Sequence, residues 1–258
     1  MNFDLFAPGS PQTLVLLAAR IGGLVLIAPV FTTKALPASV KTGIVVLLTA
    51  LLQPLALSQV TSVPQITPET FVGETIVGLA LGLGTAILAG AASLAGDVMG
   101  MQMGLSGASV LDPINNSSEN VLGTFGNLFA ITLLLAVDGH IVMVDAIARS
   151  FRDVPIGSGI HAAGLMAMVK TGSTLFGLGL QFAAPVVAAV LVANTALAIL
   201  TRAAPQLNVL SVAFPVQIGI GLVSLAASIP FIGAFYRGWS GVYNNMLDHV
   251  FAALARGA

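Results

Sequence analysis

Residues 175–200 read LFGLGLQFAAPVVAAVLVANTALAIL, an apolar run without a single Asp, Glu, Lys or Arg. A helix needs about 20 apolar residues to cross the hydrocarbon core of a bilayer. The run therefore predicts a membrane-spanning helix. Similar runs recur along the chain, so we predict an all-α fold with multi-pass membrane helices.

Five other apolar runs carry the same prediction. They cover residues 13–31, 42–57, 71–95, 121–137 and 209–235. Several of the six runs contain prolines, which remove a backbone donor and favour a kink in a helix; these are Pro29, Pro54, Pro185, Pro215 and Pro230. Kinked helices are tolerated in membranes where neighbouring protein satisfies the freed carbonyls.

The composition excludes an ordinary soluble domain. Of the 258 residues, 57% are hydrophobic and only 7% are charged, and the mean hydropathy is +1.00. Soluble domains carry about 25% charged residues, so the outer surface must face lipid or equally apolar subunits. The net charge of −1 argues against a nucleic-acid partner. The N-terminal MNFDLFAPGSPQ lacks Lys and Arg, so we do not expect a cleaved signal peptide.

The basic residues set the expected topology. The positive-inside rule places the loop 34–41, the segment 149–170 and Arg237 on the cytoplasmic side. Six plain spans cannot satisfy all three placements. We therefore predict that the third and fourth apolar runs form a partly inserted hairpin around the polar segment 97–119, which is too polar to span.

Two arginines interrupt the apolar pattern. A charge at the centre of a membrane helix costs about 2.5–3.5 kcal/mol, so Arg20 is expected to snorkel or to be paired, and Asp97 is a candidate partner by charge alone. Arg202 and Asn208 belong to the sequence TRAAPQLN, and we expect them to shape the turn between the last two helices.

Small residues predict close helix packing. Gly78 and Gly82 are four residues apart, so they share one helix face and allow a neighbouring backbone to approach. The tail, residues 236–258, is predicted to be an amphipathic helix that lies on the membrane surface, with docking of a neighbouring subunit as the alternative. Its interface aromatics are Tyr236, Trp239 and Tyr243.

The sequence lacks the residues of an enzyme. Asp138 and His140 are compatible with a proton relay, but a polar end to an apolar run explains them more simply. No nucleophile-and-base pair, phosphate loop or metal-ligand spacing occurs. We therefore predict a protein without catalytic residues, cofactor or metal.

Four motifs in one hydrophobic chain resemble the FliR family of flagellar export-gate proteins and its virulence relatives, the SctT-type proteins. They are ARIGGLVLIAPVF (19–31), AGDVMGMQMGLSGASVLDP (95–113), LFAITLLLAVDGH (128–140) and APVVAAVLVANTALAILTRAAPQLNVLSVAFPVQI (184–218). QMGLSGASVLDP and RAAPQLNV are the most specific parts. Gln217, where many virulence relatives are expected to carry Lys, favours the flagellar branch.

The resemblance implies a pore-forming subunit of the type III export gate in the bacterial inner membrane and flagellar basal body. The implied partners are FliP-like and FliQ-like subunits, FlhB-like and FlhA-like proteins, and unfolded export substrates. Residues 1–172 would form a FliP-like part and 173–235 a FliQ-like helical hairpin, followed by the tail.

The resemblance also implies a pore plug. The matching loop of the family lies in the pore, which points here to Met101, Met103, Gly104, Leu105, Ser106, Gly107, Ala108, Ser109, Val110, Leu111, Asp112 and Pro113. Flexible methionines, Met99 included, suit a seal around a varied polypeptide, and glycines allow the backbone to rearrange. A plain connector between two apolar runs is the alternative.

Other functions remain open at this point. A virulence secretion subunit is the nearest alternative. A secondary transporter would need paired broken helices in two matched halves, and the sequence has breaks but no matched repeat. An intramembrane enzyme would need the catalytic set that is missing.

Overall fold

The computed structural model describes residues 10–33, 36–60, 63–105, 120–158, 162–203 and 209–256. Within these ranges the chain is helical and contains no β-strand. The helices are α1 (Ser10–Ile27), α2 (Pro29–Thr32), α3 (Ala38–Gln59), α4 (Pro68–Gln102), α5 (Val121–Ala136), α6 (Gly139–Asp153), α7 (Ala162–Gly172), α8 (Thr174–Ala203) and α9 (Val209–Arg256).

Five stretches of helix in the described residues are long and apolar enough to cross a bilayer. They are Ser10–Ile27, Ala38–Gln59, Pro68–Gln102, Ala163–Ala203 and Ser211–Ala255, and α5 with α6 makes a sixth if that bent pair is one span. The predicted all-α, multi-pass membrane fold is confirmed. The predicted sidedness and the partly inserted hairpin stay predictions.

The observed helices extend beyond the predicted runs. Helix α4 continues to Gln102, so residues 97–102 are helical although their polarity suggested a connector. Helix α9 continues to Arg256, and no helix end falls at residue 235. The first run is divided instead, because Pro29 begins a separate helix after Ala28 takes an extended backbone conformation.

The chain forms two compact units. Unit 1 comprises Met1–Ile87, Leu134–Ser173 and Trp239–Ala258. Its core contains Leu16, Leu17 and Ile21 of α1, all fully buried. Unit 2 comprises Leu88–Leu133 and Thr174–Gly238, and its buried residues include Met103, Phe182 and Val186.

The aromatic residues of the tail do not lie at a surface. Trp239 and Tyr243 are buried, with ring centroids 4.8 Å apart. The Tyr243 hydroxyl donates a hydrogen bond to the Leu81 carbonyl at 2.7 Å, and Gly84 leaves room for the Tyr243 ring. The prediction that Trp239 and Tyr243 rest on the membrane surface is wrong. Their rings are buried within the chain, and the Tyr243 hydroxyl has its hydrogen-bond partner inside unit 1.

Candidate functional site

Helix α4 ends in a turn that we call the Met–Gly turn, residues 100–105. The Leu105 N–H donates to the Gly100 carbonyl at 2.9 Å, and the Gly104 N–H donates to the Met101 carbonyl at 3.1 Å. This pair of bonds is a Schellman motif, which satisfies carbonyls at a helix end. Gly104 has φ +75°, a left-handed conformation that glycine adopts without steric cost. The turn therefore fixes the direction in which the chain leaves α4.

The turn is packed against α9. Met103 is fully buried, and a Cβ placed on Gly221 would lie 2.6 Å from Met103 Cγ and 2.7 Å from its sulfur. A Cβ placed on Gly104 would lie 2.9 Å from the nearest atoms of the Phe214 ring. Gly221 thus provides the space in which Met103 is held.

The three methionines do not act as one set. Met99 and Met103 are four residues apart and buried, whereas Met101 lies between them and is 68% exposed. Residues two apart on a helix point in different directions. Met101 therefore has an accessible thioether, whereas Met99 and Met103 are packed against other residues of the chain, and a seal formed by these methionines around a polypeptide stays a prediction.

The chain returns beside the same turn. The Asn120 side-chain amide donates to the Asp97 carbonyl at 3.1 Å, and its oxygen accepts the Leu122 N–H at 3.2 Å, which caps the start of α5. A Cβ on Gly100 would lie 2.6 Å from Asn120 Nδ2. The point where the chain leaves α4 and the point where it returns at Asn120 are thus both bonded to about one turn of α4. The predicted plug residues Ser106, Gly107, Ala108, Ser109, Val110, Leu111, Asp112 and Pro113 lie outside the described residues.

Helices α4 and α5 approach each other closely beside the Met–Gly turn and Asn120, which together form the base of segment 106–119. A Cβ on Gly126 would lie 3.0 Å from the Ala92 carbonyl carbon, and one on Gly123 would lie 3.0 Å from the Asp97 carboxyl carbon. A small apolar cavity of about 30 Å³ is lined by the same two helices together with Phe182 and Tyr236. Within the described residues, the buried Tyr236 hydroxyl has no hydrogen-bond partner. The described part of the site is thus a closely packed apolar support for the segment that follows the Met–Gly turn.

A polar pair lies near the turn on the predicted hairpin. Gln217 Nε2 donates to Asn194 Oδ1 at 2.6 Å, which links α8 to α9. Interhelical hydrogen bonds of this kind contribute about 0.6–2 kcal/mol in membranes. Gln217 also lies 3.6 Å from the Cβ position of Gly104. Gln217, which in the sequence is an indication of the flagellar branch, therefore faces the Met–Gly turn.

Unit 1 contains a buried charge cluster around Arg20, which we call the Arg20 cluster. Arg20 Nε donates to Glu74 Oε2 at 2.6 Å, and both side chains are buried. The guanidinium also donates to Ser150 Oγ at 2.9 Å and to the Val154 carbonyl at 2.9 Å. Glu74 Oε1 accepts the Gly157 N–H at 2.8 Å. The cluster therefore ties α1, α4, α6 and the following loop together.

Arg20 is paired with Glu74 and not with Asp97, so the partner proposed from charge alone is wrong. Asp97 lies on α4 23 residues after Glu74, which is more than six helical turns at about 3.6 residues per turn. Sequence reasoning overlooked Glu74. The missed signal was an acidic residue in an apolar run, since such a charge needs a partner.

The predicted packing glycines lie against α1. A Cβ on Gly78 would overlap the Arg20 carbonyl oxygen and lie 2.8 Å from its carbonyl carbon. A Cβ on Gly82 would overlap the Ile27 side chain and lie 3.0 Å from the Leu24 carbonyl oxygen. The glycine face therefore brings α4 onto the backbone of α1 in the same chain.

Three of the remaining polar candidates, Arg202, Asp138 and His140, are exposed. Arg202 lies in the last turn of α8, and Asn208 lies outside the described residues. Asp138 has φ 57° and, with His140, lies exposed at the start of α6. In the part of the chain that the structure describes, no group of three or more His, Cys, Asp and Glu residues could hold a metal.

Comparison with known proteins gives consistent matches. A sequence model of the family described as Bacterial export proteins, family 1, matches residues 12–240. Flagellar biosynthetic protein FliR of Pectobacterium carotovorum subsp. carotovorum is 34% identical over 218 residues, 84% of each chain. The Escherichia coli K12 protein of the same name is 30% identical over 232 residues, 89% of each chain. The Caulobacter vibrioides one is 29% identical over 237 residues, 90% of this chain and 93% of the relative.

Proposed function

Because the chain belongs to the FliR family of bacterial export proteins and is therefore a component of the flagellar export apparatus, we propose that it is a structural, pore-forming subunit of the export gate. In this role it lets unfolded flagellar subunits cross the inner membrane at the basal body. The reported relatives are flagellar biosynthetic proteins, which favours this role over a virulence secretion system. A secondary transporter lacks comparable support.

The anchored base of segment 106–119 carries the proposal. Leu105 is bonded to the Gly100 carbonyl, and Asn120 lies against Gly100 from the other side. A segment that leaves and returns at one fixed point can occupy a pore without disturbing the helices that hold it. We propose that Met101 and residues 103–113 form the plug on this base.

The partners proposed are FliP-like and FliQ-like subunits, with FlhB-like and FlhA-like proteins beside them. Residues 1–172 would be the FliP-like part and 173–235 the FliQ-like hairpin; the hairpin would begin one residue before the start of a stretch of unit 2 at Thr174. Exposed apolar side chains on α8 and α9 support burial in a larger assembly. They are Phe176, Leu180, Leu191, Val192, Ile199, Val212, Phe214, Val223 and Phe231.

Deletion of residues 106–116 tests the plug. The deletion leaves the Met–Gly turn and Asn120 intact, so the assembled gate should still form. The inner membrane should then become permeable to ions or small molecules in the absence of export. Permeability is measured in cells, and assembly by co-purification of the FliP-like and FliQ-like subunits.

A matched variant separates plug sequence from plug length. Replacing residues 106–116 with a Gly–Ser segment of equal length restores the connection but removes the apolar side chains. We expect an intermediate leak. A fully assembled gate that stays tight after the deletion contradicts the plug.

A further inference from the structure

A second surface of the molecule has the features of a lipid site and is independent of the proposed pore. A half-open groove of about 360 Å³ lies in unit 1 against α1, α2 and α3. It is lined by Gly22, Val25, Leu26, Thr32, Lys41, Thr42 and Val45. This size is within the range of about 300–1,000 Å³ that is typical of small-molecule sites. Most of the lining surface is apolar, and a single positive charge, that of Lys41, lies among the lining residues.

Lys41 is the group that decides which occupant fits. Its side chain is half-buried and lines the groove, and lysines in such positions cover apolar surface with the methylene stem while the ammonium reaches a polar group. The ion pairs among the described residues are Arg20–Glu74 and Arg149–Asp145, and neither involves Lys41. The ammonium in the groove is therefore not neutralised by a described carboxylate of this chain.

The local helix end adds to the positive potential. Lys41 lies in the first turn of α3, whose N-cap is Pro37, and no side chain caps that end. A helix N-terminus has free N–H groups and a partial positive charge, which favour an anion. Lys41 and the end of α3 therefore attract the same kind of ligand.

The threonines do not compete for this role. The Thr42 hydroxyl donates to the Ala38 carbonyl at 3.0 Å, and the Thr32 hydroxyl donates to the Pro29 carbonyl at 3.3 Å. Among the lining side chains, anion recognition therefore depends on Lys41, which makes its contribution testable by one substitution.

The apolar part of the groove continues onto surface that faces outward. Leu26 in the groove is exposed, and so are Val46 and Leu47 on α3. Gly22 lines the groove and has open space where a Cβ would be. We propose that this groove binds an anionic phospholipid, with an acyl chain along Gly22, Val25 and Val45 and the headgroup phosphate on Lys41.

Native mass spectrometry of the full chain tests the charge. The chain is titrated with palmitoyl-oleoyl phosphatidylglycerol or with the phosphatidylcholine that has the same acyl chains. Wild type should retain the anionic lipid about fivefold better, the effect expected for one lysine near an anionic headgroup. Lys41→Met should remove this preference, and Lys41→Arg should keep it. Lys170→Met removes an exposed charge outside the groove and should change nothing.

A second pair of variants tests the groove itself. Gly22→Leu fills it without changing charge and should lower retention of both lipids. Gly43→Leu is the matched control, since Gly43 also has open space around its Cβ position but does not line the groove.

Three results would overturn the proposal. The first is equal retention of the two lipids by wild type, and the second is an effect of Lys170→Met equal to that of Lys41→Met. The third comes from the assembled complex: if Gly22→Leu leaves lipid retention there unchanged but lowers the yield of complex, a neighbouring subunit occupies the groove. Loss of the lipid site would leave the proposed pore function unaffected.

Discussion

Single residues in the buried positions of unit 1 show how this apolar chain tolerates charge. Arg20 is surrounded by four oxygen acceptors and lies 5.6 Å from the centroid of the Phe151 ring. A buried ion pair gains little over an apolar pair, but removal of one partner leaves an uncompensated charge. The Arg20 cluster is therefore expected to specify which helices meet more than to add net stability.

Glu74→Gln should destabilise the chain strongly, because it leaves the Arg20 guanidinium buried without its carboxylate. The expected loss is about 3–5 kcal/mol in the free energy of unfolding, measured by denaturation of the purified chain in detergent. The double variant Arg20→Met/Glu74→Met should recover most of it. Asp145→Asn breaks the Arg149–Asp145 pair, in which Asp145 is 64% exposed, and should cost less than about 1 kcal/mol. Equal losses for Glu74→Gln and Asp145→Asn would contradict this account.

Gly104→Ala should loosen the Met–Gly turn. The left-handed conformation costs a non-glycine residue about 1–2 kcal/mol, and the new Cβ would also meet Phe214 at 2.9 Å. Hydrogen–deuterium exchange at the amides of residues 104 and 105 should become faster. Gly233→Ala is the control, since Gly233 is helical with open space around it. Unchanged exchange in Gly104→Ala would show that the Schellman bonds do not hold this segment.

At the scale of elements, the apolar runs predicted helices well, but they did not predict where helices end. The periodic pattern of apolar residues shows which face of a helix is buried. The helix itself continues past a charged or polar residue when that residue has an interaction partner in the folded chain. Asp97 remains helical because its backbone carbonyl and carboxylate both lie against α5. Helix α6 was missed because its mean hydropathy is low, although Met143, Ile147 and Ser150 fall at the spacing of a single helix face.

The approach of α1 and α4 predicts a difference between two glycines of similar sequence context. Gly78→Ala places a methyl group on the Arg20 carbonyl, a backbone atom that cannot move away alone. Gly22→Ala meets open space and should be neutral or stabilise the chain by up to about 1 kcal/mol through helix propensity. The midpoint of thermal unfolding in detergent separates them. Equal midpoints would mean that α4 can shift away from α1 without cost.

The same comparison on α9 tests the base of the proposed plug. Gly221→Leu should displace Met103, because a Cβ at position 221 would lie only 2.7 Å from the Met103 sulfur. We expect a leaky assembled gate with a normal complex yield. Gly219→Leu, two residues away with open space at its Cβ position, should remain tight. A leak from both variants would assign the effect to the helix surface and not to Met103.

At the scale of the whole molecule, the sequence predicted a membrane protein but not the division into units. Composition and hydropathy report on the environment, and they decided the membrane class. The two units are each assembled from separated stretches of chain, so residues 1–172 contribute to both. Pairings such as Arg20 with Glu74, or Met103 with Gly221, depend on which faces meet in three dimensions, and no local pattern encodes that.

The exposed apolar face of the predicted hairpin gives the final prediction. Val192 on α8 is 71% exposed and Val223 on α9 is 72% exposed, so each faces either lipid or another subunit. Lipid tails rearrange around a larger apolar side chain, whereas a packed protein interface does not. Val192→Trp and Val223→Trp should therefore abolish co-purification with FliP-like and FliQ-like subunits while the chain itself accumulates normally, and Val192→Leu should assemble. Normal assembly of both Trp variants would place this face against lipid, because only a fluid neighbour admits the added ring without loss.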